Sequence, residues 1–202
     1  NALNSRERHI FTIENPVEYQ VSGITQVSVN PEQGLGFAEA LRASLRQDPD
    51  VILVGEIRDE ETAEVAVKAA LTGHLVLSTL HSGDAVTAVQ RLLNLGIASD
   101  LLADTLTLIV SQRLVRKLCP HEEESPDCPR CQGTGYAGRI PVYELLRVNR
   151  LVRDRIREGH TGRELVDPHE DLHFQTMEQT AQRLVQEQLT NWREVRPLLL
   201  AT

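Results

Sequence analysis

Residues 51–81 read VILVGEIRDEETAEVAVKAALTGHLVLSTLH. Two apolar runs, 51–54 and 74–79, flank a stretch with a different period. Asp59 is placed to cap a helix, and Glu60 and Glu61 fall in its first turn, where carboxylates meet the positive end of the helix dipole. Ala63, Ala66, Val67, Ala70 and Leu71 follow the i, i+3, i+4, i+7, i+8 spacing of one helix face. Gly73 stands where a left-handed residue closes a helix. Strand, helix, strand, with both strands apolar on either face, is the pattern of a parallel α/β sheet covered on both sides. The first run stops on Gly55 and Glu56, the second on Ser78, Thr79 and His81. A buried strand does not usually finish on a carboxylate without a partner, so Glu56 is the residue to explain.

The alternation extends outward from this stretch. HIFTI at 9–13 is a short β-branched run stopped by ENP, and reads as another buried strand. VEYQVSGITQVSV at 17–29 alternates on either side of SG and predicts a β-hairpin. GFAEALRASLRQ places Phe37, Leu41 and Leu45 at spacing four, an amphipathic helix broken by DPD. Further helices are expected at 84–95 and 99–117. At Cys119 the character changes: CPHEEESPDCPRCQGTGYAG is rich in Pro, Gly, Cys and acid and has no period. RIPVYELLRV then predicts a strand, and helices follow near 150–158 and 176–189, the last with a Thr176–Gln179 capping box. The expected organisation is an α/β core over 1–118, a cysteine-rich loop over 119–138 and a helical region over 139–202.

Composition excludes several classes. The 202 residues carry a formal charge of −8 and only 3% aromatics. Nucleic-acid binding needs a basic footprint or stacking platforms, and this chain has neither. No apolar run is long enough to span a bilayer, and the opening NALNSRERHI has no signal- or transit-peptide character. Three cysteines, an odd number in an acidic chain, suit a reducing compartment and point to metal ligation or free thiols.

Polar clusters close the predicted strands: Glu14, Asn15 and Glu18 after the first, Glu56, Arg58 and Asp59 after the second, Ser78, Thr79 and His81 after the third, which His74 opens. In parallel α/β sheets ligands bind beyond the carboxyl ends of the strands. Acids there suit Mg²⁺ and its waters, or a proton taken from attacking water, and a histidine suits a terminal phosphate. Each residue alone has a plainer reading. Glu56 is also a first-turn helix acid, Glu14 a turn residue, His74 and His81 satisfied strand-end groups, and Arg58 with Asp59 a surface ion pair. Their joint occurrence at consecutive strand ends favours a phosphate site.

These residues also carry a resemblance. TIENPVEY resembles the aspartate box of the type II secretion and type IV pilus ATPases. LRQDPDVILVGEIRDEETAEVAVKAALTGHLVLSTLHSGDA resembles their Walker B and histidine boxes, and QRLVRKLCP…CPRCQGTGYAGRIPVYELL the cysteine segment of their secretion and pilus-assembly branch; the retraction motors generally lack that segment. The resemblance runs from about residue 9 to residue 148. It implies a RecA-like ATPase core that uses ATP and Mg²⁺, works as a cytoplasmic homo-hexamer, and acts through an inner-membrane platform protein. It assigns Glu14 and Glu18 to the aspartate box, with Glu14 a candidate general base. Glu56 would act on Mg²⁺ through water or on the attacking water. His81 would sense the γ-phosphate, His74 is the other histidine of its box, and Arg58 would orient the loop.

Two departures qualify this. The second acid of the aspartate box is Asn15 here, which keeps a hydrogen bond but is no base. No G-x-x-x-x-G-K-[ST] occurs in the sequence, so the phosphate cradle and its lysine are absent. In the family the P-loop lies just ahead of a stretch like NALNSRERH. The expectation is therefore a C-terminal piece of an ATPase, without its N-terminal domain, inactive alone and with unpaired strand edges. The alternative is a non-catalytic interaction module docking on the platform.

CPRC is a C-x₂-C knuckle with Cys119 upstream of it. Related ATPases of this branch hold zinc with two C-x-x-C pairs, whereas here Glu122 replaces the second cysteine of the first pair. Cys119, His121, Cys128 and Cys131 would make a Cys₃His site, with Glu122 or Asp127 as substitutes for the histidine. A metal-free loop with free thiols is the plainer reading.

Overall fold

The computed structural model describes residues 2–120, 128–166 and 174–200. Strand β1 (Ile10–Glu14) lies between β2 (Ile24–Ser28) and β3 (Val51–Val54), and β4 (Leu75–Ser78) pairs with the other side of β3. All three pairings are parallel, in register from Ile10↔Ile24, Ile10↔Val51 and Val51↔Leu75. Helix α1 (Phe37–Ser44) leads to β3, α2 (Glu60–Leu71) joins β3 to β4, and α3 (Ala85–Asn94) with α4 (Ser99–Thr105) follow. A second sheet holds β5 (Leu108–Leu118), β6 (Tyr136–Arg147) and β7 (Phe174–Gln175), all antiparallel. Helix α5 (Arg150–Arg157) lies between β6 and β7, and α6 (Met177–Gln186) and α7 (Trp192–Leu199) end the chain's described part.

The expected start and end of the helix within residues 51–81 hold, although Leu71 on its predicted face is 52% exposed. Asp59 caps α2 by accepting the Thr62 amide at 2.8 Å, and Gly73 has φ of 102°. Ile13, Ile52 and Val54 are completely shielded; burying each contributes roughly 1.5–3 kcal/mol. Thr176 and Gln179 form the reciprocal capping box at the start of α6.

Three expectations fail. The hairpin over 17–29 does not form: β2 pairs parallel with β1. Side chains of β2 satisfy the backbone of the returning loop instead. Ser28 accepts the Val17 amide, and Gln26 bonds both the Val21 amide and the Tyr19 carbonyl. Tyr19 stays 82% exposed, so strand 17–21 would have buried little. The helix over 99–117 stops at Thr105, and residues 108–118 form β5. There Ser111 and Val115 are buried while Leu108, Val110 and Leu114 are half exposed, a period-two pattern that the β6 ladder rewards. Finally, β4 is not a buried strand. It is the edge of its sheet, with Leu75 and Leu77 44% and 40% exposed. Helix α7 and strand β7 were not anticipated.

The main core runs on past residue 118. Leu146, Val148, Val152, Ile156 and Leu165 join Ile13, Leu41, Ile52 and Val89 in one cluster. A smaller cluster, with Val115, Val142, Met177, Leu184 and Val195, packs α6 and α7 on the hairpin.

Candidate active site

Parallel pairing brings the ends of β1, β3 and β4 to one rim of the sheet. Gly55 is required there. Its amide donates to the Ile13 carbonyl at 2.8 Å, and a Cβ would stand 3.1 Å from that same oxygen. The glycine lets the chain close against β1 and turn Glu56 outward.

Glu56 then meets two side chains. The Arg58 guanidinium pairs with its Oε2, and the His81 ring lies 3.3 Å from the same oxygen. The Glu56 side chain is 16% exposed, while Arg58 and His81 are 65% and 79% exposed. Thr79 ties the start of the His81 loop to β3: its hydroxyl donates to the Gly55 carbonyl at 2.6 Å, and its own carbonyl accepts the Ile57 amide. The loop carrying the histidine is thus built onto the strand end carrying the acid.

Glu14 closes β1 beside this cluster. Its Oε1 accepts from the Thr12 hydroxyl and from Gln26 Nε2 at 3.1 Å. It is half buried, so two neutral donors orient a carboxylate that keeps a second oxygen. Asn15 and Glu18 are exposed on the following loop. His74 lies at the opposite end of β4, about 13 Å away along four residues of strand. Its Nδ1 sits 3.0 Å from the Ala69 carbonyl at the end of α2. The fold therefore brings Glu56, Arg58 and His81 into contact, sets Glu14 at the end of the neighbouring strand, and leaves His74 apart.

Two residues missed in the sequence reach the histidine loop. Arg113 Nη2 donates to the Gly83 carbonyl, and Glu144 accepts the Ala85 amide, both at 2.8 Å. Reading 108–118 with a period of two would have put Arg113 on the inner face. Burial pushes the Glu144 carboxyl above its ordinary range, against the Ala85 amide that favours the charged form.

The third cluster is at the tip of the β5–β6 hairpin. The sulfurs of Cys119, Cys128 and Cys131 all lie within 4.8 Å of one another, and Cys119 Sγ is 3.8 Å from Cys128 Sγ. Thiolates held tetrahedrally at about 2.3 Å from zinc lie about 3.8 Å apart, so the spacing fits a metal of that size. The amides of Cys131 and then Arg130 draw the Cys128 thiol down to about 6, the thiolate form a metal needs. His121, Glu122 and Asp127 lie outside the described residues.

The model of the type II/IV secretion system protein family matches residues 1–197. The chain belongs to that family. It is 42% identical to the type II secretion system protein HxcR of Pseudomonas aeruginosa over 96% of this chain and 43% of that protein. It is 44% identical to the type II secretion system ATPase E of Vibrio cholerae, over 83% of this chain and 38% of the other. With the type IV pilus assembly ATPase PilB of Thermus thermophilus it shares 45% identity over 79% of this chain and 21% of that one. Among solved structures it superposes on the pilus retraction motor PilT with bound ADP, with a TM-score of 0.75 and 36% identity, over 96% of this chain and 52% of that one. The chain thus spans less than half the length of these three sequence relatives. The family match spans the RecA-like parallel sheet with its flanking helices, the cysteine hairpin and the C-terminal helices. Among the described residues no helix is long and apolar enough to cross a membrane.

Proposed function

We propose that the chain is the catalytic-core part of a motor ATPase of a type II secretion or type IV pilus assembly system. The observation that carries this is the convergence of Glu14, Glu56 and His81 at the carboxyl rim of a parallel sheet. Glu14 and Glu56 supply the hard oxygen donors that Mg²⁺ takes, directly or through water. When bound, the ion would neutralise charge on the phosphates of ATP. Glu56, held by Arg58 and His81, would orient water or accept its proton, and His81 would contact the terminal phosphate.

Two strand edges support a place for a phosphate cradle as well. The outer edge of β4 and the outer edge of β5 are both unpaired among the described residues. They flank a cavity of about 550 Å³ lined by Val67, Ala70, Val76, Leu92 and Val110 among others. A parallel strand ending in a P-loop would fill this slot, bury Leu75 and Leu77, and deliver its loop to the rim that holds Glu56. In a longer chain that supplies such a strand, ATP binding should appear and amide exchange along β4 should slow. If the 202-residue chain already binds ATP as tightly as the longer one, the slot reading is wrong.

The cysteine cluster would hold one zinc ion through Cys119, Cys128 and Cys131 and so fix the hairpin tip; His121 is a candidate fourth ligand. In the cell the motor would work as a cytoplasmic homo-hexamer peripheral to the inner membrane through its platform protein. A non-catalytic module docking on that platform is the second reading, favoured by the absence of a P-loop from these residues.

A further inference from the structure

His81 cannot be held in place by its own contact. Its side chain is 79% exposed and meets Glu56 at 3.3 Å, and exposed pairs of this kind are too weak to order a loop. The start of the loop is fixed by Thr79, as above. Its end is fixed from another sheet. On the inner face of the hairpin Glu144 pairs with Ser111, and Arg113 pairs with Val142, which makes Arg113 and Glu144 diagonal neighbours. Both reach across to the histidine loop. Arg113 takes the Gly83 carbonyl and Glu144 takes the Ala85 amide, the first residue of α3. Asp84 between them caps the helix by accepting the Thr87 amide at 2.7 Å.

Glu144 is an unusual choice for a plain tether. It is half buried and close to the Asp84 carboxylate, and both features oppose its charge. What favours it is the positive end of α3 and a nearby guanidinium. The Ala85 amide contributes most, the Arg163 guanidinium next, and the Met177 amide at the start of α6 least. One carboxylate thus locks the start of α3 to β6, while the adjacent guanidinium locks the preceding turn of the loop.

We propose that Arg113 and Glu144 are positioning residues for His81: clamping the far end of its loop keeps the ring over Glu56. Their importance for catalysis rests on the motor reading above; the clamp itself does not.

The test uses nuclear magnetic resonance on the 202-residue chain. The Overhauser contact between the His81 ring and the Glu56 side chain should be present in the parent. It should be lost in Arg113→Ala and in Glu144→Ala, and kept in Glu144→Gln, whose carbonyl oxygen still accepts the Ala85 amide. Amide signals of Ile10–Glu14 and Val51–Val54 should not move. Persistence of the ring contact in both alanine variants overturns the proposal. So does loss of the β1 and β3 signals in both, which would make the pair general supports of the fold. In the longer, P-loop-bearing protein, Arg113→Ala should lower kcat about tenfold and leave KM for ATP within about twofold, and a change confined to KM overturns the proposal. If the parent long protein hydrolyses no ATP while the ring contact responds as expected, the motor reading fails and the clamp stands.

Discussion

In the four-stranded sheet Ile13, Ile52 and Val54 are fully shielded and the reactive groups gather at strand ends. In the β5–β6 hairpin Leu108, Val110 and Leu114 are half exposed, and three cysteines gather at the tip. The first region has a core that does not depend on its chemistry. Glu56, Arg58 and His81 stand on a platform that apolar burial already holds. The second is long, amphipathic and open along one edge, and its tip has little apolar content to order it. There we propose that three thiols, rather than an apolar core, order the segment. Substitutions at the sheet rim should therefore change reaction and spare the fold, and substitutions at the tip should do the reverse.

The largest expected effect tests the first half of that contrast. In the P-loop-bearing protein, Glu56→Gln should cut ATP turnover by about 10² or more while nucleotide still binds. Thermal stability of the same variant should stay close to the parent, because the Glu56–Arg58 pair is largely exposed on its arginine side. Turnover within twofold of the parent would remove Glu56 from the chemistry. A large fall in stability would show that the rim and the core are not separable.

The second half is tested at the sulfurs. Protein prepared without chelator should carry about one zinc per chain. Cys128→Ser should release it and speed proteolysis around 128–138, with the amides of β1 and β3 still protected. A metal-free preparation with an ordered tip would make the cluster three ordinary buried thiols. Unfolding of the parallel sheet on metal loss would break the contrast from the other side.

The same contrast explains what was legible in the sequence. Residues 51–81 contain their own start and stop signals, so β3, α2 and β4 could be placed from Asp59, the alanine-rich stripe and Gly73. The rim followed, since Glu56 and His81 close strands that had to be parallel. What failed depended on distant partners. Whether Ile24–Ser28 pairs with 17–21 or with Ile10–Glu14 is decided by which strand is buried, and local alternation does not carry that information. Residues 108–118 read as helix or strand until β6 is available to pair with them. The exposure of Leu75 and Leu77 follows from the place of β4 at the edge of its sheet, which a local apolar run does not reveal. Arg113 and Glu144 escaped notice because their partners are backbone groups far along the chain.

The smallest effect concerns how α7 is fastened to the hairpin. Arg116 binds Glu194 through two nitrogens, Nε at 2.9 Å and Nη2 at 2.6 Å, and its guanidinium lies 4.0 Å over the Tyr136 ring. The Arg116 hydrogen bond holds the Glu194 carboxyl below its ordinary range, against a smaller opposing effect of burial. A lowered folded value means that ionised Glu194 favours the folded state. That contribution is fully present above the unfolded carboxylate value of about 4.3 and is lost as pH falls through the folded value. Trp192, the only tryptophan of the chain, opens α7 and reports on its docking. In the parent, Trp192 emission should change at a midpoint below the ordinary glutamate range. Arg116→Ala should move that midpoint up toward about 4.3, with only a slight loss of stability near pH 7, since the arginine is more than half exposed. An unchanged midpoint in the variant would mean that α7 is held by Val195 and its apolar neighbours alone, and that the hairpin's polar contacts, unlike its thiols, contribute nothing measurable to its architecture.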